Sequence, residues 1–143
     1  MQPVEELTTQ ALAERYGAAW NANDVDAIMG MQTDDMVFKL HSAGFEAAVG
    51  PEAVRAQFAY FFDAWEGMHF ETRELHVEGE LFVHEFRFTA KLVKPFPLLG
   101  EVIEPSEHGV DIDGVDVITT RDGLVRSKHT YMDTLAMRRQ LDG

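Results

Sequence analysis

Between residues 5 and 32 the apolar positions recur every three or four residues, which predicts two helices parted by a short polar break. The first, Glu5 to Asn21, carries Leu12, Tyr16, Ala19 and Trp20 at i, i+4, i+7 and i+8, so the Tyr16 phenol points into the fold. Asp24 caps the second, which runs to Gln32. Thr33–Asp34–Asp35 interrupts the period and feeds a short strand, Met36 to His41, followed by a loop at Ser42–Ala43–Gly44. Gly50–Pro51 opens a third helix, Pro51 being suited to its first turn. Its buried stripe, Val54, Phe58, Phe61, Phe62 and Trp65, is strongly aromatic.

From Met68 the period changes to two. His69 to Glu78 and Glu80 to Lys94 read as an antiparallel hairpin turning at Gly79. On its second strand His84, Phe86 and Phe88 share one face, and Glu85, Arg87 and Thr89 the other. Pro95–Phe96–Pro97 ends that strand, and Leu98 to Gly109 is an excursion punctuated by proline and glycine, its Glu101, Glu104 and Glu107 facing solvent. A third strand, Val110 to Thr120, turns at Arg121–Asp122–Gly123 into a fourth, Leu124 to Asp133, and a short tail that Asp133 caps. Helices first and a curved antiparallel meander after them make one α+β domain, residues 1–143.

The 143 residues are 45% hydrophobic, enough for a sizeable core. A formal charge of −13 repels phosphate backbones and anionic lipid, so the expectation is no nucleic acid and no membrane as partner. There is no cysteine, which removes disulfides, thiolate catalysis and cysteine-based metal sites. His69, His76 and His108 fall on edges or loops at spacings that fit no metal motif, and neither metal nor organic cofactor is expected. Met1 to Glu6 has no leader pattern and no apolar run reaches membrane length, so the expected localisation is cytoplasmic. Phosphate-cradling loops, serine-nucleophile elbows and dinucleotide fingerprints are missing from the sequence.

A buried tyrosine hydroxyl needs a partner. About a hundred residues after Tyr16 the sequence offers Asp116, flanked by Val115, Val117 and Ile118. Such surroundings raise a carboxyl pKa, and a neutral Asp116 beside Tyr16 would donate hydrogen bonds to a carbonyl oxygen and stabilise an enolate. The same two groups would equally serve as a satisfied core pair. His84, on the face of Phe86 and Phe88, suits a neutral general base or acid near pH 7, or a histidine bonded at the core edge.

Arg15 to Asp35, with Tyr16, Ala19, Asn21, Ala22, Asp24, Asp26, Ile28 and the Asp34–Asp35 pair in order, is similar to ketosteroid isomerase. Gly114–Val115–Asp116–Val117–Ile118 and the turn after it resemble the corresponding strand of SnoaL-like polyketide cyclases. Both belong to the nuclear transport factor 2-like superfamily, whose activities vary widely on one fold. The resemblance implies a cone-shaped barrel of three N-terminal helices packed on a curved antiparallel sheet, and a homodimer paired through sheet faces. It implies Tyr16 and Asp116 as oxyanion donors and sets Leu40 where ketosteroid isomerase holds its base, leaving His84 to move the proton. It brings Lys128 and Thr130 to a cavity lined by Trp20, Phe38, Leu40, Phe58, Phe62, Trp65, Phe86, Phe88 and Ile118, with Leu98 to Gly109 near its mouth. The function implied is a cofactor-independent acid/base enzyme, of isomerase, cyclase or dehydratase type, acting on a carbonyl-bearing hydrophobic small molecule. The alternative is a non-catalytic small-molecule-binding protein that lacks the base.

Overall fold

A computed structural model describes residues 7–41, 44–98 and 100–143. Glu5 and Glu6 of the predicted first helix, Ser42 and Ala43 of the predicted loop, and Leu99 lie outside the described residues. Helix α1 (Thr9–Asn21) starts where the Thr8 hydroxyl accepts from the Ala11 N–H. Its buried stripe is Leu12, Ala13, Tyr16, Ala19 and Trp20. Side chains pin both ends of this helix to the sheet. Thr9 donates to the Gly79 carbonyl at 2.6 Å, and the Asn21 amide exchanges two hydrogen bonds with the Phe70 backbone. Helix α2 (Val25–Gly30) is capped by Asp24 as expected but stops two residues early, and Gln32 begins strand β1 (Gln32–Leu40) instead.

After β2 (Ala48–Val49), α3 (Pro51–Ala64) buries Val54, Phe58, Phe61 and Ala64. The chain then extends at once into β3 (Trp65–Glu78), so Trp65 belongs to the sheet and not to the end of the helical stripe. Strands β4 (Leu81–Leu92), β7 (Val110–Arg121) and β8 (Leu124–Met132) complete a six-stranded sheet in the order β2-β1-β8-β7-β4-β3. Between β4 and β7, β5 (Phe96–Leu98) and β6 (Glu101–Ile103) form a small separate hairpin that begins two residues before the predicted excursion. The α+β class and the curved, mostly antiparallel sheet agree with expectation. One pairing differs: β1 runs parallel to β8, which the long connection between the two strands permits.

Asp34–Asp35 does not interrupt the chain as predicted. These residues form an irregularity inside β1, between the Gln32↔Val125 and Val37↔Ser127 pairs, where Asp35 binds Arg121 at 2.7 Å. The tail is helix α4 (Thr134–Asp142), capped by Asp133 and buried through Met137 and Leu141. It packs with the β5–β6 excursion across one end of the barrel: Ser106 donates to the Leu141 carbonyl, and Glu101 pairs with Arg138 instead of facing solvent alone.

Gly114 lets β7 pass over the core. A Cβ there would meet the Phe86 ring at 2.6 Å and the Tyr131 carbonyl at 3.0 Å, and Phe86 is fully buried with nowhere to turn. Gly114→Ala is therefore expected to destabilise the protein by about 1–3 kcal/mol, the usual cost of overpacking. Urea unfolding checks this, and an unchanged midpoint would show that the strand can shift freely.

Candidate active site

Three local irregularities aim the polar side chains. Alternation from buried Val125 would turn Lys128 outward, but an extra residue, Arg126, falls between the Thr120↔Val125 and Thr119↔Ser127 pairs. That bulge reverses the faces and brings Lys128 and Thr130 inward. Arg73 is the extra residue of a second bulge, between Thr72↔Phe86 and Glu74↔Glu85, which leaves Thr72 and Leu75 on one face. Gly67, at φ +65, allows a third between Glu66 and His69, so Trp65 and Met68 are both buried.

Asp116, Lys128 and Thr130 are each about 95% buried and form one unit. Lys128 Nζ donates to Asp116 Oδ2 at 2.8 Å, and Thr130 Oγ1 donates to Asp116 Oδ1 at 2.6 Å. The ammonium lies 5.8 Å from the centroid of the Tyr16 ring and 5.1 Å from that of Trp20, within cation–π range. His84 is paired with Asp116 in the sheet register, its Nδ1 4.0 Å from Asp116 Oδ2 and its Nε2 2.7 Å from Thr72 Oγ1. Burial pushes the His84 imidazole below its ordinary value of 6.5, with Lys128 adding to the effect and Asp116 opposing it. A neutral imidazole results at neutral pH.

Tyr16 does not pair with Asp116. Its hydroxyl donates to Gln32 Oε1 at 2.7 Å, a partner that the predicted extension of α2 through Gln32 concealed. Burial pushes the phenol above its ordinary value; the Trp20 N–H offsets part of this, and the charge of Asp116 adds to it. That N–H leans toward the Tyr16 oxygen without reaching hydrogen-bond geometry, so the indole nitrogen is buried with no partner. Asp116 also departs from its expected role. With both oxygens accepting, it is not free to donate.

Two cavities flank this unit. A cleft of about 380 Å³, a volume typical of ligand sites, lies between α1 and the sheet; Tyr16, His84, Asp116, Ile118 and Lys128 face it. A narrower chamber of about 60 Å³ is walled by aromatic and aliphatic groups, among them Phe38, Leu40, Trp65, Phe88 and Met137, with Thr130 at its polar end. Trp20, Phe70, Asp116 and Lys128 line both. The single apolar cavity expected is thus divided. Phe58 and Phe86 are fully buried core and line neither, and Phe62 packs on Trp20 at 5.2 Å. Leu98, the first residue of the predicted excursion, walls the chamber together with Phe96. His41 points away, stacked on Tyr131 at 4.3 Å and bonded to His129 on the outer face of the sheet.

Sequence reasoning missed Gln32, Thr72 and Met137. Thr72 carried a usable signal, since it follows Phe70 at strand spacing. Met137 and Leu141 lie one helical turn apart behind the Asp133 cap, and Gln32 had no signal. Glu74, His76 and Glu85 approach closely enough to hold a metal ion, a cross-strand group that spacing along the chain does not reveal. All three are exposed and line neither cavity, and the 2.9 Å His76–Glu85 contact accounts for their arrangement.

Residues 13–128 match the SnoaL-like domain family, and the chain belongs to it. No curated protein matches the sequence. Among solved structures, a protein described as a SnoaL-like polyketide cyclase from Jannaschia sp. CCS1 is 26% identical with TM-score 0.81, over 100% of this chain and 99% of that one. TsrD from Streptomyces laurentii is 26% identical with TM-score 0.76, over 95% and 98%. An epoxide hydrolase from M. tuberculosis, 16% identical with TM-score 0.69 over 91% and 86%, shares the fold alone.

The lowered His84 value has a stability consequence. Unfolding returns the imidazole to about 6.5, so just below that pH the unfolded chain binds more protons and stability falls as pH drops. His41, lowered in the same direction by burial, adds to the fall. Thermal unfolding followed between about pH 8 and pH 5, where histidine titrates, is expected to show a smaller acid loss in His84→Asn than in the parent. Equal losses would mean that His84 titrates normally.

Proposed function

We propose that the protein is a cofactor-independent acid/base enzyme acting on a carbonyl-bearing hydrophobic small molecule, of isomerase, cyclase or dehydratase type. The observation that carries this reading is a neutral histidine beside a buried carboxylate–ammonium pair in a ligand-sized cleft. His84 takes a proton from carbon adjacent to the carbonyl and returns it. Asp116 is a positioning residue: it holds Lys128 and, 4.0 Å away, faces the imidazolium that forms. Tyr16 supports Lys128 with its ring instead of meeting the substrate with its hydroxyl. The description of the Jannaschia protein as a SnoaL-like polyketide cyclase supports an enzymatic reading of this fold.

Deuterium exchange into the α-position of cyclic ketones, read by NMR, tests the proposal. The native protein should accelerate exchange on at least one ketone, and His84→Ala should lose about 10²- to 10⁴-fold of that rate, the usual share of a positioned base. No acceleration on any ketone, or full activity in His84→Ala, would overturn it. The binding-protein reading is favoured by one residue: Leu40, which walls the chamber beside Asp116 and Thr130, has no proton to move. That reading gains if an enolate mimic binds tightly while exchange stays at the background rate.

We further propose a homodimer formed through the sheet face turned away from the helices. Val83, Val115 and Val117 are only half-buried there, and Tyr131 is 43% exposed. Light scattering at micromolar concentration should give twice the chain mass of 16.1 kDa, and a single-chain mass would refute the proposal.

A further inference from the structure

We propose that the Thr72 hydroxyl is the group that meets the substrate carbon, and that it passes the proton between that carbon and His84 Nε2. This deepens the acid/base reading and rests on it for the reaction. A neutral imidazole takes up a proton through a lone pair in the plane of its ring, so whatever stands at its two nitrogens decides what it can reach. Both nitrogens are faced by protein groups. Nδ1 looks onto Asp116 Oδ2 at 4.0 Å, and Nε2 lies 2.7 Å from Thr72 Oγ1. The carboxylate is the charge that Nδ1 faces, and it favours a proton on that nitrogen. Nε2 is then the accepting nitrogen, and the Thr72 O–H donates to it. The Phe86 ring packs against the imidazole at 5.4 Å, tilted by 41°, and limits how far the ring can turn to free its lone pair.

The second observation is the order of exposure. The His84 side chain is only 14% exposed, whereas Thr72 is exposed and lines the cleft. Outward from Nε2 the hydroxyl comes first. Thr72 is also poorly suited to swinging aside, because a β-branched side chain on a strand is stiff at χ1. It is held between its pairing with Phe86 and the bulge at Arg73. A hydroxyl has one hydrogen to give and two lone pairs to receive with, and among the described residues this one bonds to His84 alone. It is equivalent to a water molecule fixed in place, and a base acting through one such group is within working geometry. In the forward step the carbon–hydrogen bond breaks as an O–H bond forms on Thr72 Oγ1. The original Thr72 O–H bond breaks as an N–H bond forms on His84 Nε2. The electron pair left on carbon moves to the carbonyl oxygen and gives the enolate. Thr72 then accepts from the new N–H, and return of the proton reverses each change.

The test is the wash-out of tritium from the α-position of cyclic ketones by the whole protein, in water and in deuterium oxide, on the plateau of the pH–rate profile. Through the relay a hydrogen drawn from solvent moves with the substrate's own, so the rate should be lower in deuterium oxide. Direct transfer from carbon to nitrogen moves no solvent hydrogen, and equal rates would overturn the inference. Thr72→Val should lose about 10- to 100-fold in kcat, the loss expected for a hydrogen bond to a group that becomes charged, with KM little changed. Thr72→Ser should recover most of that loss, which a purely structural threonine would not require. Nitrogen-15 NMR of the native protein reads the tautomer without any variant: the proton of neutral His84 should sit on Nδ1, and a proton on Nε2 would make Thr72 an acceptor and end the relay. Exchange that survives Thr72→Val unchanged sinks this inference and leaves the acid/base reading, whereas no exchange on any ketone sinks both.

Discussion

The Lys128–Asp116 pair is the contact on which the arrangement of the site depends. Placing two charges out of water costs several kcal/mol per ion, and a well-packed apolar pair of the same volume is often as stable or more so. The pair is therefore poorly explained as a stabiliser. It is better explained by what it holds in place. Thr130 completes the second oxygen of Asp116, the rings of Tyr16 and Trp20 receive the ammonium, and His84 sits opposite Asp116 in the register. Without the single extra residue at Arg126, Lys128 would face the outside of the sheet and none of this could assemble. The bulge is thus a positioning device of the kind expected next to active sites.

Much of this was readable from alternation. The period-two pattern put His84 with Phe86 and Phe88, and isolated Asp116 among apolar neighbours; both ended in the same cleft. What alternation could not supply was the identity of partners. Tyr16 needed an acceptor, and a carboxylate a hundred residues away was a reasonable candidate. The acceptor proved to be Gln32, because α2 ends at Gly30 and frees Gln32 to join the sheet beneath α1. Helix ends are set by competition between local caps and distant pairing. Here the parallel Gln32↔Val125 pair wins, a contact that no local signal announces. The division of the cavity was hidden for a related reason: it depends on how Trp20 and Phe70 meet, not on which residues are apolar.

The two ends of the barrel are built differently. At one end, α1 is pinned by hydrogen bonds from Thr9 and Asn21 to the backbone of β3 and its turn, which fixes the width of the cleft. At the other, Met137 of α4 and Phe96 and Leu98 of the β5–β6 hairpin wall the chamber. There α4 is held by burial of Met137 and Leu141 and by Ser106 on the Leu141 carbonyl, while the exposed Arg138–Glu101 pair contributes little.

The charge arrangement of the site also differs from the one its resemblance to ketosteroid isomerase implies. There the expected design is a carboxylate base facing neutral donors. Here Leu40 supplies no charge, Asp116 is matched by Lys128, and His84 is neutral, so the three polar groups sum to zero before a ligand enters. Moving a proton from a carbonyl compound to the imidazole creates two charges, an imidazolium and an enolate. On the proposed reading each would form beside a group of opposite sign already fixed in place, the imidazolium 4.0 Å from Asp116 and the enolate oxygen near Lys128. Electrostatic stabilisation is most effective when the dipoles that receive developing charge need no rearrangement. A pair that contributes little to the resting fold is thus matched to the charge-separated state, which gives a physical reason for burying it at the point where the two cavities meet.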